Sequence, residues 1–267
     1  MTALAARRRH PLALVVLIAL GLLATGALYA AIAPKPAVAA AASTDQIAEG
    51  KKLFLANCAS CHGKNAAGSA MTKFEGIAGP SLIGVGAASV DFQVSTGRMP
   101  LSAPGPQAPQ GPVLYNPEQI AQMAAYVGSL APGPAIPGSE FSTGEGGNIA
   151  NGAAIFRVNC AMCHNFAGAG GALTRGKYAP AIADISGVHI YEAMVTGPQA
   201  MPVFNDANIS PEDKNDVIAF ALSVQEEASA GGDTLGNLGP VTEGLFAWVV
   251  GIGVLIGCAV WLGAKAA

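Results

Sequence analysis

Four of the five cysteines fall in two identical arrangements, Cys58-Ala59-Ser60-Cys61-His62 and Cys160-Ala161-Met162-Cys163-His164. Cys-x-x-Cys-His is an attachment signal for haem c. The reason is geometric. On a first helical turn, two thiols so spaced reach the two vinyl groups on one porphyrin edge. The adjacent histidine then projects under the ring toward iron. Cys58 and Cys61 are therefore expected to hold one haem through thioethers, with His62 as an axial ligand. Cys160, Cys163 and His164 are expected to hold a second in the same way. A zinc site would want further Cys or His near each pair, and the chain offers only His10 and His189 besides. One zinc shared by both pairs remains open, but it leaves the duplicated methionines described next unexplained. A thioredoxin-like disulfide wants a βαβ context, and no strand pattern is present.

The sixth iron ligand is sought among the methionines. Met99-Pro100 and Met201-Pro202 each place a Met 37 residues after the motif histidine. Methionine opposite histidine closes the iron and raises its potential. The following proline holds the chain extended so that the thioether can point inward. Met71, Met123, Met162 and Met194 lack this pairing and read as core filler. His189 is a rival ligand for the second haem, but nothing matches it in the first half. It reads as a surface or propionate contact, or as having no role. Pro80 and Pro180 lie between each motif and its Met. A proline carbonyl there can accept the histidine Nδ1 proton and orient the ring, or each is a plain loop proline. Arg98 reads as a solvated surface charge, with a propionate contact as the alternative. Two irons closed by His and Met argue for electron relay. A di-haem peroxidase would need one open iron and an acid/base pair, which nothing marks.

These residues must be held by repeated elements. The segment from Gly50 to His62 aligns with Gly152 to His164 at an offset of 102 residues, and Met99 falls on Met201 at the same offset. Two copies at so long a period mean duplicated domains. Each copy reads as a helix, Cys-x-x-Cys-His, a Gly/Ala-rich loop, Met-Pro and a C-terminal helix. Asn116-Pro117-Glu118-Gln119 and Ser210-Pro211-Glu212-Asp213 carry a cap residue, proline at the first helical position and acids in the first turn. The loop from Leu101 to Asn116 is eight residues longer than that from Val203 to Ser210, an insertion that an irregular connection tolerates cheaply. The fold class is all-α, with domains at 45–131 and 148–228 joined by linkers at 34–44, 132–147 and 229–243. Units this small bury little core by themselves; a haem would fill the deficit.

Two uncharged apolar runs flank the domains, at 11–33 and 244–264. Each is long enough to cross a hydrocarbon core about 30 Å thick. Trp248 and Trp261 sit near the ends of the second, as interfacial indoles do. The first run has a rival reading as a signal peptide, with Arg7, Arg8 and Arg9 before it and Ala37-Val38-Ala39 as a cleavage site. Its length exceeds a usual signal core and favours a retained helix. All 17 acids lie from Asp45 to Glu243, while the tips carry Arg7, Arg8, Arg9 and Lys265. The 10 remaining Lys and Arg leave the middle at −7. The positive-inside rule puts both tips in the cytoplasm and the middle outside the cell membrane. Cys258, inside the second run, reads as a small lipid- or helix-facing apolar residue, with palmitoylation as the weaker alternative.

The order of anchor, two class I-like cytochrome c units and anchor resembles the di-haem cytochrome c subunit of the actinobacterial cytochrome bc1 complex. The likeness rests on Gly170-Gly171-Ala172-Leu173-Thr174, His189-Ile190-Tyr191-Glu192-Ala193-Met194, Gly197 to Phe204 with Asn208 to Glu212, and Val241 to Phe246. It implies partners: a cytochrome b subunit, a Rieske iron–sulfur subunit and an aa3-type cytochrome c oxidase in a supercomplex. It also implies a direction, with electrons from menaquinol passing from the Rieske centre through both haems to the oxidase. The chain would then be part of a quinol–cytochrome-c reductase, a translocase, with no chemistry of its own beyond electron transfer. No nucleic-acid partner is expected. Tethered haems would replace a diffusing carrier through their high effective concentration.

Overall fold

The computed structural model describes residues 11–32, 42–69, 79–103, 105–182, 184–226 and 240–265. Arg7, Arg8, Arg9, His10, Ala37-Val38-Ala39, Met71 and most of the linkers at 34–44 and 229–243 lie outside the described residues. Helix α1 (Pro11–Ile32) belongs to one compact unit, Met1–Pro36, and all later elements belong to a second, Ala37–Ala267.

The second unit opens with an N-terminal module of α2 (Thr44–Asn57), the single turn α3 (Ala59–His62), α4 (Gly86–Ser95) and α5 (Pro117–Leu130). The C-terminal module repeats the order as α6 (Ile149–Asn159), α7 (Ala161–His164), α8 (Gly187–Thr196) and α9 (Pro211–Glu226). The last helix of each module starts where the sequence signals place it. At α5 the Asn116 side chain accepts from the Gln119 backbone, and the Gln119 side chain accepts in return from the Asn116 N–H. Ser210 caps α9 by accepting from the Asp213 N–H at 3.1 Å. Each cap satisfies backbone donors that the first turn leaves open.

In each module the first and last helices cross, and the crossing is glycine-dependent. A Cβ on Gly50 would lie 1.8 Å from the carbonyl oxygen of Gln122; one on Gly152 would lie 1.9 Å from that of Asp216. One turn on, Phe54 meets Tyr126 and Phe156 meets Phe220, both with ring centroids 5.2 Å apart. Phe54 and Phe156 are buried, each contributing roughly 2–3 kcal/mol by area. The two modules thus share one joint, built from residues related by the repeat.

Three differences from the sequence reading appear. The stretch between each Cys-x-x-Cys-His and its Met-Pro, expected to be a Gly/Ala-rich loop, holds a helix in each module, α4 and α8. A two-residue antiparallel ladder pairs β1 (Gly171–Ala172) with β2 (Tyr178–Ala179) inside an otherwise helical chain. It is too short to give a period-2 pattern. The inserted loop 101–116, read as a passive connection, reaches the other module. Gln107 Nε2 donates to the Tyr178 carbonyl and its Oε1 accepts from the Tyr178 N–H, each at 2.9 Å. The Ala108 N–H donates to Gln199 Oε1 at 3.3 Å.

Helices α1 and α10 (Pro240–Lys265) are long and apolar enough to cross a membrane, with mean hydropathy 2.4 over their spans. Both are apolar on every side, which suits a lipid environment better than one core face. The lone polar group in the middle of α1, Thr25, donates back to the Gly21 carbonyl at 2.8 Å, as a bilayer demands. At the end of α10 the Lys265 ammonium lies 4.8 Å from the Trp261 ring centroid, an arrangement that keeps the charge near the interface.

Candidate functional site

Both Cys-x-x-Cys-His motifs sit at the same break in the chain. The Cys58 N–H donates to Phe54 and the His62 N–H to Cys58; Cys160 to Phe156 and His164 to Cys160 repeat this, all between 2.8 and 2.9 Å. One helix therefore ends on the first cysteine, and the next single turn presents the second cysteine and the histidine. None of these cysteines is in a disulfide. Burial, with the neighbouring Cys163 second, pushes the Cys160 thiol up to about 11. Cys58 is raised by burial and then by Cys61. A redox dithiol needs the opposite shift.

The histidines are fixed by a single backbone contact each. His62 Nδ1 donates to the Pro80 carbonyl at 2.8 Å and His164 Nδ1 to that of Pro180 at 2.9 Å. A carbonyl can only accept, so the proton is on Nδ1 and the Nε2 lone pair is left for a metal. Burial lowers the His164 pKa and outweighs the Pro180 carbonyl, which raises it. The ring is thus held neutral, the form that ligates.

Met99 packs against Val94, Ile120 and Met123 in the N-terminal module. Met201 packs against the core of Phe156, Ile190, Met194 and Val217. It lines one cleft together with Cys160, Cys163 and His164, so the structure brings the four predicted residues of the C-terminal module together. Met123 and Met194 are core, as read from sequence. Met162 is not. It is 89% exposed, because the second x of the motif lies on the outer face of the turn.

Family models match both modules: "Cytochrome c" over residues 47–131, and "Cytochrome C oxidase, cbb3-type, subunit III" over 147–220. The cytochrome bc1 complex cytochrome c subunit of Corynebacterium efficiens is 44% identical over 92% of this chain and 86% of its own. The subunits of the same name from Corynebacterium diphtheriae and Mycobacterium bovis are each 42% identical, over 93% and 97% of this chain and 92% and 93% of theirs. The chain belongs to the cytochrome c subunits of the bc1 complex. Its cytochrome c domains mark it as a carrier of covalently bound haem c, acting in electron transfer within that complex.

The C-terminal cleft fits such a group. About 1200 Å³ of space, part of it open solvent, is walled mainly by apolar side chains. Arg98 adds a buried guanidinium whose Nη1 meets no partner. This corrects the reading of Arg98 as a solvated charge: it is 6% exposed, with its guanidinium 4.9 Å from the Phe92 ring centroid. His189 is also corrected, from a free surface to the seam where α4 meets α8. Its Nε2 lies 2.8 Å from Ser95 Oγ and 3.9 Å from Asp91 Oδ2. Burial lowers its pKa, with Asp91 opposing and Arg98 adding to the fall.

The seam also holds a residue to which sequence reasoning gave no role. Glu192 is fully buried and its carboxyl meets the Asp91 carboxylate in a hydrogen bond that needs a proton; without that proton neither Glu192 oxygen has a partner. Its place in the helical apolar run of α8 is the only sequence signal. Burial, then the Asp91 charge, pushes the Glu192 carboxyl up to about 10 from an ordinary 4.5. The folded chain keeps this proton while the unfolded chain loses it, so stability is lost as pH rises from about 4.5 toward about 10. Glu192→Gln is expected to stabilise the chain by up to a few kcal/mol at pH 8 and by little at pH 5, at about 1.4 kcal/mol per pKa unit. Melting curves at both pH values check this; equal gains at the two would contradict it.

Proposed function

We propose that this chain relays electrons from the Rieske iron–sulfur centre of the bc1 complex, through two covalently bound haems c, to an aa3-type cytochrome c oxidase during menaquinol oxidation. The observation that carries the reading is the doubled site. Each module offers a cysteine pair on one turn, a histidine with Nε2 free, and a Met-Pro at the same distance along the chain. Cys58 and Cys61 hold one haem and Cys160 and Cys163 the other. His62 and His164 would ligate iron through Nε2, and Met99 and Met201 would ligate it through sulfur. Haem c supplies a one-electron iron couple when bound.

The protein's part is to orient, close and insulate. The Pro80 and Pro180 carbonyls hold each imidazole in one tautomer and one rotation. As iron ligands, Met99 and Met201 would deny substrates access to the metal and raise its potential. The apolar cleft of the C-terminal module keeps water from the centre. Helices α1 and α10, with basic tips, support a multi-pass chain of the plasma membrane whose modules lie on its outer side.

Purification of the tagged chain in mild detergent tests the reading. Cytochrome b, Rieske and oxidase subunits are expected to co-isolate, with two haems c per chain. Recovery with a different dehydrogenase, or with one haem, would overturn it.

A further inference from the structure

Arg98 belongs by sequence to the N-terminal module, one residue before Met99, yet it lines the cleft of the C-terminal module. Its neighbour goes the other way, into the N-terminal core. Among the described residues lining that cleft, Arg98 is the only Lys or Arg, and no Asp or Glu lines it. Its guanidinium is buried, stacks on Phe92, and leaves Nη1 unpartnered. A guanidinium does not shed its proton in proteins, and a buried unpaired cation is costly enough that structures supply an anion.

The chemistry of the expected occupant supplies one. Haem c has its two vinyl positions consumed by thioethers at one edge, here at Cys160 and Cys163. Its two propionates, on the opposite edge, are its only peripheral charges. A planar fork of N–H donors matches a carboxylate, and a bidentate pair gives both strength and orientation. We propose that Arg98 of the N-terminal module binds a propionate of the haem carried by the C-terminal module. The dipeptide Arg98-Met99 then serves both centres, with Met99 facing its own module's iron and Arg98 holding the neighbour's haem. This rests on the reading of two haems c given above.

The clamp has supports on both sides. Gln107 holds the Tyr178 backbone by two hydrogen bonds, and Tyr178 lines the same cleft. The seam of α4 and α8 fixes Phe92, the ring under the guanidinium, edge-on to His189 with centroids 6.3 Å apart. Arg98 therefore arrives on a rigid mount, and loss of its charge acts on potential rather than on haem retention.

The test uses the full chain in its complex, with Arg98→Gln and Arg98→Lys compared by haem content per chain and by potentiometric titration. A Met201→His background marks the second haem by a lowered potential. A cation beside a propionate favours the reduced iron. Arg98→Gln is expected to shift the marked wave down, moving the electron distribution by about tenfold toward the first haem, which is about 59 mV for one electron. Arg98→Lys, which keeps charge but loses the fork, is expected to shift it less. Two haems per chain with an unmoved marked wave, or movement of the other wave alone, would overturn the proposal while leaving the two-haem reading intact. An Arg98-containing chain without two haems would overturn that reading instead. Should Arg98→Gln fail to assemble, Arg98→Met, which keeps the stem and loses the charge, decides: an unshifted marked wave overturns the clamp.

Discussion

Replacing Cys160 and Cys163 together by alanine is expected to halve the covalent haem c of the chain and to abolish quinol-driven oxygen consumption through the complex. The halving follows from the independence of the two turns. Cys58 and Cys61 sit at the end of α2 in a module with its own core around Phe54, Tyr126 and Val127. Nothing in their attachment depends on the second turn. The loss of turnover follows from order. If the haems act in series, one missing member breaks the chain completely, whereas in parallel it would leave about half the rate. The same double replacement at Cys58 and Cys61 is expected to give the same two results. Haem per chain from the alkaline pyridine spectrum, with oxygen uptake by the same membranes, reads both. Residual turnover near half in either variant would sink the series relay while sparing the count of two haems.

How much of this was readable beforehand divides by physical range. The cysteine turns, their histidines, the caps at Asn116 and Ser210 and the Met-Pro pairs are local signals, written within a few residues and doubled by the repeat. The Pro80 and Pro180 contacts were within reach for the same reason, since each needed only a carbonyl in the loop after the motif. The seam was not readable. Arg98, His189 and Glu192 look like an ordinary surface cation, a spare histidine and one acid on an amphipathic helix. Their roles depend on α4 of one module lying against α8 of the other, and no periodicity within either helix specifies that. One clue was present. The N-terminal module's Met-to-helix loop is eight residues longer than its counterpart, and that excess carries Gln107 across to Tyr178. A duplication that lengthens one copy at one place leaves a mark of asymmetric use.

The seam also explains why two modules sit in one compact unit instead of on a free tether. Its polar groups are individually expensive. Glu192 is buried against the Asp91 carboxylate, and Arg98 is buried with an open Nη1. Such groups destabilise a protein unless something met in the working state satisfies them. The propionate answers the Arg98 half of that problem. The Glu192 proton answers the other half, since a neutral carboxyl costs far less to bury than a charged one. Haem binding and module docking are then coupled, and each makes the other cheaper.

Gly152→Val is expected to be the most damaging single change in the C-terminal module, with Gly50→Val its equal in the N-terminal one. The first Cβ atom alone would sit 1.9 or 1.8 Å from a backbone carbonyl of the crossing helix. A flexible side chain could swing aside, but a helix carbonyl cannot move without its helix. The crossing must open, and with it the cores of Phe156 and Phe54. Overpacking usually costs about 1–3 kcal/mol. Separation of the joint adds lost burial at roughly 25 cal/mol per Å², so a total above about 4 kcal/mol is expected, in the range reserved for fold-level damage. Because α6 and α9 also wall the second cleft, through Phe156 and Val217, Gly152→Val should lower haem retention at the second centre and spare the first. Gly105→Ala is the control, since its nearest neighbour to a new Cβ is Gln107 O at 3.5 Å, an ordinary contact. Melting temperature and haem per chain are the measurements. A Gly152→Val chain that keeps two haems and melts within a few degrees of the parent would show that the crossing is not the joint on which the site is built.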